Sequence, residues 1–167
     1  MTAHGRIWRF GDDIDTDALA PGAYMKGSLE ELAAHCLETV NPAFAAEVGP
    51  GDLVVAGRNF GMGSSREQGA EALKHLGVSA VVARSFAGIF YRNSINLGLP
   101  VLIGDVPERL GDGTFASIDI LEATVTIDED GGVIQCEPLP ELLHAILDDG
   151  GLVPHLEKRF KRSTEPA

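Results

Sequence analysis

Gly57-Arg58-Asn59-Phe60-Gly61-Met62-Gly63-Ser64-Ser65-Arg66-Glu67-Gln68 follows an apolar run, Leu53-Val54-Val55-Ala56, and precedes Ala70-Glu71-Ala72-Leu73-Lys74-His75-Leu76. The first flank has the length and β-branched content of a buried strand, and the second has apolar residues about one helical turn apart. Between them the chain must turn sharply, and Gly57, Gly61 and Gly63 supply backbone freedom where a site at a strand-to-helix turn needs it. Ser64 and Ser65 are expected to open the helix, where free N–H groups and the positive helix end favour an anion. Arg66 adds a fixed charge with a fork suited to a carboxylate. A plainer use of the same residues is a capping box, Ser64 with Glu67 or Ser65 with Gln68, which carries no chemistry.

Working outward, Arg6 to Phe10 alternates charged and apolar residues and reads as a first strand. Gly11 to Pro21 is acidic, rich in turn formers and too irregular for a core element. Asp13-x-Asp15-x-Asp17 has the rhythm of a calcium loop, but Ala18 stands where glycine is needed and Tyr24 where a bidentate glutamate is needed. Carboxylates so close together repel, so cations are expected beside them, with Arg58 and Arg66 as candidates. Tyr24-Met25-Lys26-Gly27 forms a loop. Ser28 caps a helix expected to run to about Thr39, and Asn41-Pro42 stops it.

Beyond the glycine-rich segment, Ala80 to Ala83 and Pro100 to Ile103 read as strands flanking a helix from about Phe86 to Leu97, which Gly98 ends. This β-α-β-α-β rhythm argues for an α/β fold with a mixed sheet and flanking crossover helices. After Asp105 come three short alternating strands, Ser117–Ile120, Thr124–Ile127 and Gly132–Cys136. Pro138 to Leu147 reads as a helix, Leu152 to Phe160 as a final short one, and the polar tail from about 161 is expected to fray.

A chain of 167 residues that is 44% apolar fits one globular domain, residues 1–167, with a real core. Its longest apolar runs fall far short of the ~20 residues of a membrane helix. No signal-peptide pattern opens the sequence, so a cytoplasmic protein is expected, with no membrane partner. The formal charge of −12 argues against nucleic acid. Cys36 and Cys136, the two cysteines, have no CxxC spacing, and Cys36 falls on an apolar helical stripe, so no metal site within the chain is expected.

The glycines match neither nucleotide-binding pattern, since no Gly-Lys-Ser/Thr occurs and Arg66 replaces the third glycine. The segment is not a hydrolase elbow either. A Ser-His-Asp triad stays open on composition, because triads are defined by geometry. The arrangement that remains is Ser64 near Arg66, with Asp15 and Asp17 upstream. Positive surroundings stabilise an alkoxide, so Ser64 is a candidate base, while Arg66, Arg58 and Lys26, with Arg92 as a further one, are candidates to hold a di- or tricarboxylate.

Four segments of the chain resemble, in order, the swivelling domain of the aconitase superfamily: Asp13 to Asp17, Gly57 to Glu67, Ala83 to Ala87 and Phe90 to Pro100. The resemblance is to the separate small subunits of isopropylmalate isomerases and their homoaconitase relatives. It implies a swivelling β/β/α-type domain and a hydro-lyase of leucine biosynthesis that removes and re-adds water on a hydroxy-carboxylate. It further implies Ser64 as base, Arg66 as carboxylate ligand and Asp17 as an active-site residue, with Ser65, Arg58, Tyr24, Met25 and Lys26 near the substrate. Lewis-acid help would come from a 4Fe-4S cluster held by a large partner subunit, without which the chain would be inactive. Homoaconitases carry an arginine near Lys26, whereas isopropylmalate enzymes are more apolar there. Met25-Lys26 matches neither pattern, and the breadth of the family makes isopropylmalate the expected substrate, with homoaconitate or a methylated malate as alternatives. A non-catalytic carboxylate-binding regulatory subunit is the reading from another class.

Overall fold

In the computed structural model, which describes residues 1–164, one seven-stranded sheet runs from end to end in the order β4-β3-β2-β1-β5-β6-β7. The strands are β1 (Thr2–Arg9), β2 (Leu53–Ala56), β3 (Ala80–Ala83), β4 (Val101–Ile103), β5 (Phe115–Asp119), β6 (Thr124–Ile127) and β7 (Val133–Gln135). β1 through β4 pair in parallel, and β5 to β7 continue antiparallel from β1. The sequence pattern explains the division. All residues of β2 and β3 are buried, as parallel strands covered on both faces require. β5 and β6 alternate buried with partly exposed residues, so that half of the sheet has a wet face.

The helices are α1 (Thr16–Leu19), α2 (Leu29–Ala34), α3 (Phe44–Glu47), α4 (Gln68–His75), α5 (Gly88–Leu97), α6 (Glu141–Asp148) and α7 (Leu152–Thr164). α4 crosses from β2 to β3, and α5 crosses from β3 to β4. Phe44 on α3 is fully buried and receives Trp8 and Phe10 edge-on, each at 5.3 Å. The buried Asp52 carboxylate fixes the turn before β2, accepting from Trp8 Nε1 at 2.9 Å, Arg6 N at 2.9 Å and Gly49 N at 3.0 Å. Among the described residues no helix is long and apolar enough to cross a membrane.

Several expectations need correction. The helix capped by Ser28, whose Oγ does accept from Glu31 N at 3.1 Å, ends at Ala34 and not near Thr39. Leu37 adopts φ 59° and donates its N–H to Ala18 O at 2.8 Å, so a long-range bond turns the chain out of the helix. The last helix is longer than its sequence suggested and continues through Thr164. The ion pair from Lys158 to Asp149 ties its middle to the turn after α6. The remainder of the expected polar tail, 165–167, lies outside the described residues.

The acidic segment Gly11 to Ala20 also departs from the irregular surface loop that its composition suggests. Ile14, Thr16, Leu19 and Ala20 are buried. Phe10 N donates to Val55 O at 2.7 Å, Asp13 N to Arg58 O at 2.8 Å, Gly61 N to Ile14 O at 2.7 Å and Thr16 N to Met62 O at 2.8 Å. The segment therefore prolongs the parallel β1–β2 pairing past the formal strand ends. On the other side Phe60 N donates to Ser85 O at 3.1 Å and Ala87 N to Phe60 O at 3.0 Å, which extends the pairing toward β3. The glycine-rich turn is thus held between two neighbours at the carboxyl ends of parallel strands, where open α/β sheets place their ligand sites.

Candidate active site

Two glycines in this turn are set by contact as well as by backbone angle. Gly61 has φ +82°, and a Cβ there would lie 2.1 Å from Phe90 Cγ, inside the Phe60–Phe86–Phe90 aromatic cluster. Gly63 has φ +113°, and its Cβ would lie 2.9 Å from Thr16 Oγ1. Gly61→Ala is expected to cost about 2 to 5 kcal/mol, from the left-handed backbone and the clash together. Denaturant unfolding of the chain by itself measures this. A midpoint unchanged from the parent would contradict the packing described.

Asn59 and Asp13, at φ 58° each, are the residue types that tolerate the left-handed region, and they brace one another through Asn59 Nδ2 to Asp13 Oδ1 at 3.0 Å. Asp12 Oδ1 receives the Arg58 N–H at 2.7 Å. Asp15 caps α1, accepting from Ala18 N at 2.8 Å. The clustered acids are therefore accommodated largely by main-chain and amide donors.

Ser64 and Ser65 do not open a helix. α4 begins at Gln68, and its N-cap Glu67 makes no side-chain capping bond, so neither expected capping box forms. Ser64 is instead anchored to the first residue of α1. Its N–H donates to Thr16 Oγ1 at 3.1 Å, and its Oγ lies 3.1 Å from the same oxygen. Arg66 N approaches Ser64 Oγ at 3.4 Å, a long contact of small weight. The electrostatic help expected from the helix end thus begins several residues further on, and local donors take its place.

Arg66 is half-buried, and its Nη1 donates to Asp17 Oδ1 at 3.0 Å. Asn93 on α5 supports the turn from below, donating to Ser65 O at 3.3 Å. Ser64, Ser65, Arg66 and Asp17 are thereby brought together on one exposed rim. The other expected site residues have contacts of their own, and no hydrogen bond or ion pair among the described residues joins their side chains to this group. The Arg58 side chain lines a cavity of about 610 Å³ with Arg84, Gln135, Cys136 and Glu137. Arg84 is itself held by Asp105, Nε to Oδ1 at 2.7 Å, a bond that raises its pKa. Tyr24 ends a short 3-10 turn and stacks flat on His35, with ring centroids 3.6 Å apart. Met25 is half-buried, and Lys26 is exposed with no ion pair among the described residues.

Two residues of the site escaped the sequence reading, Thr16 and Asn93. Thr16 lay in a segment read as irregular, and the only local signal was the spacing Ile14, Thr16, Leu19 of its buried residues.

A cluster needs thiolates, and this donor set does not suit one. Cys36 and Cys136 are buried on separate segments. Burial pushes the Cys36 thiol far up and the Cys136 thiol up to about 11, so both stay protonated. Among the described residues no three His, Cys, Asp or Glu side chains are grouped to hold a metal ion.

Comparison with known proteins identifies the family. Residues 23–104 match the model of the aconitase C-terminal domain, a span that includes the glycine-rich turn but not Asp12 to Asp17. The chain is 50% identical over 155 residues to the methanogen homoaconitase small subunit of Methanothermobacter thermautotrophicus, covering 92% of this chain and 90% of that one. It is 49% identical over 160 residues to 3-isopropylmalate dehydratase small subunit 2 of Archaeoglobus fulgidus, covering 95% and 96%. The chain belongs to the aconitase-family dehydratase small subunits. A crystal structure of 3-isopropylmalate dehydratase from Methanocaldococcus jannaschii superposes with a TM-score of 0.92 at 44% identity, covering 98% of each chain. The expected resemblance and the α/β fold hold, and the family's members are named as subunits of hydro-lyases.

Proposed function

We propose that this chain carries the proton-abstracting half of a hydro-lyase active site, acting on 3-isopropylmalate and 2-isopropylmalate in leucine biosynthesis in the cytoplasm. The observation that supports it most is Ser64 Oγ held at an exposed rim by Thr16, with Arg66 and Asp17 beside it. In the dehydration direction Ser64, as the alkoxide, takes the proton from the carbon next to a carboxylate. The C–H electron pair becomes the new C=C bond while the C–O bond breaks and its pair leaves with the hydroxyl. Arg66 holds the neighbouring carboxylate through its fork, and Asp17 keeps the guanidinium oriented before substrate arrives. Ser65 lies next to the base and is assigned to the same carboxylate, while Arg58 is assigned to a more distant one.

The group that receives the departing hydroxyl is outside this chain's donor set. We assign it, with the 4Fe-4S cluster general to the family, to a large partner subunit that docks over the rim. No nucleic acid or membrane enters this reading.

A second reading rests on Lys26. An exposed ammonium without an ion pair among the described residues, on the loop next to Tyr24 and Met25, suits a substrate with an additional carboxylate, as in homoaconitate. Assay of the chain combined with its large subunit against a panel of hydroxy acids decides between them. Turnover of 3-isopropylmalate with little effect of Lys26→Leu is the expected result. A loss of about tenfold or more in that variant, confined to a substrate with the extra carboxylate, would establish the second reading instead. Lys26→Leu should leave thermal stability unchanged, because the side chain is exposed.

A further inference from the structure

We propose that Thr16 is a positioning residue for the base: its hydroxyl donates to Ser64 Oγ and holds that oxygen ready to carry negative charge. A threonine hydroxyl has one proton to give and two sites that accept. Thr16 is 2% exposed, and Ser64 is its side chain's hydrogen-bond partner among the described residues. Thr16 Oγ1 accepts the Ser64 N–H at 3.1 Å, so its own proton must go to Ser64 Oγ, also at 3.1 Å. The reverse direction would leave a buried hydroxyl proton without an acceptor, whereas exposed Ser64 can turn its own proton to water or substrate.

The direction of that bond matters when Ser64 loses its proton. The Thr16 hydroxyl then donates to a full charge, which shortens and strengthens the bond, so the stabilisation grows as the base forms. The Ser64 N–H bound to the same Oγ1 polarises the hydroxyl in the same sense. The surroundings fix Thr16 in this role. It is the first residue of α1, behind the Asp15 cap, and its N–H donates to Met62 O at 2.8 Å. Gly63 passes directly over the hydroxyl, and any Cβ there would lie 2.9 Å from it. The glycine at 63 thus leaves room for this contact.

The inference rests on Ser64 being the base. Its test uses the chain combined with its large subunit, with kcat and KM measured for Thr16→Val and Thr16→Ser, and Ser64→Ala beside them. Thr16→Val removes the donor at nearly constant volume and should lower kcat by about ten- to a hundredfold, with KM within about threefold of the unsubstituted enzyme. Thr16→Ser restores the hydroxyl and should recover kcat to within about threefold. If Thr16→Val does not assemble, Thr16→Cys, whose thiol is a weak donor, should show the same loss. An unchanged kcat in Thr16→Val or Thr16→Cys overturns the inference while leaving Ser64 as base. A Thr16→Ser variant as impaired as Thr16→Val also overturns it, since the methyl group would then be what matters. Full activity in Ser64→Ala would instead remove the base assignment and this inference with it.

Discussion

Replacing Ser64 by alanine is expected to lower turnover by about two to four orders of magnitude, the range for loss of a positioned general base. The chain should still fold and still assemble. Ser64 is exposed, and its side chain makes one hydroxyl contact, with Thr16, and one long contact with Arg66 N. Its N–H bond to Thr16 Oγ1 belongs to the main chain and survives the substitution. Substrate affinity should change little, because in this account the carboxylates are held by Arg66 and its neighbours. Kinetic assay of the reconstituted enzyme, with substrate binding measured separately, checks both halves. Turnover within about threefold of the parent would leave the serine as a mere turn residue and favour a regulatory, carboxylate-binding role for the chain.

Arg66→Lys should act on the other kinetic constant. Lysine keeps the charge but presents a point ammonium in place of a planar fork, so a two-bond grip on carboxylate is lost. Hydrogen bonds to charged groups contribute about 1.5 to 3 kcal/mol, and KM should accordingly rise by about ten- to a hundredfold. The effect on stability should be small. The Arg66–Asp17 pair is largely exposed, with the Asp17 side chain at 74%, and exposed pairs contribute about 0 to 1 kcal/mol. That contrast separates the proposed role from a structural one. A variant that loses stability while keeping its KM would show that Arg66 serves the fold through Asp17 and through Ala20 O, which its Nη1 approaches at 3.5 Å.

Much of the sheet was legible in the sequence because burial imposes a simple pattern on strands. Leu53 to Ala56 and Ala80 to Ala83 are short, wholly apolar and bounded by turn residues, and they became the two parallel strands buried on both faces. The alternation in Ser117–Ile120 and Thr124–Ile127 marked strands with one wet face. Helices were less legible wherever long-range bonds decided their ends. Leu32, Ala33, Cys36 and Leu37 carry a helical stripe and are all buried, yet the helix stops at Ala34 because Leu37 pairs with Ala18.

The candidate site divided along the same line. Ser64 and Arg66 could be singled out from residue type and order, while Asp17 was separated from Asp15 only by the family resemblance. Their mutual placement could not, because it depends on Gly11 to Thr16 pairing alongside Val55 to Met62, a match between segments more than forty residues apart. Local composition made that acidic stretch look like surface, and local spacing made the serines look like helix caps. The main-chain pairing overrides both and delivers Thr16 to Ser64.

Ser64 is proposed to remove a carbon-bound proton in a site that the partner completes. Exchange of that proton with deuterium oxide, followed by NMR in the reconstituted enzyme, tests it most directly. Deuterium is expected at the reacting carbon with the parent enzyme, and exchange slowed by at least about a hundredfold with Ser64→Ala at saturating substrate. Exchange at the parent rate in the Ser64→Ala enzyme would contradict it.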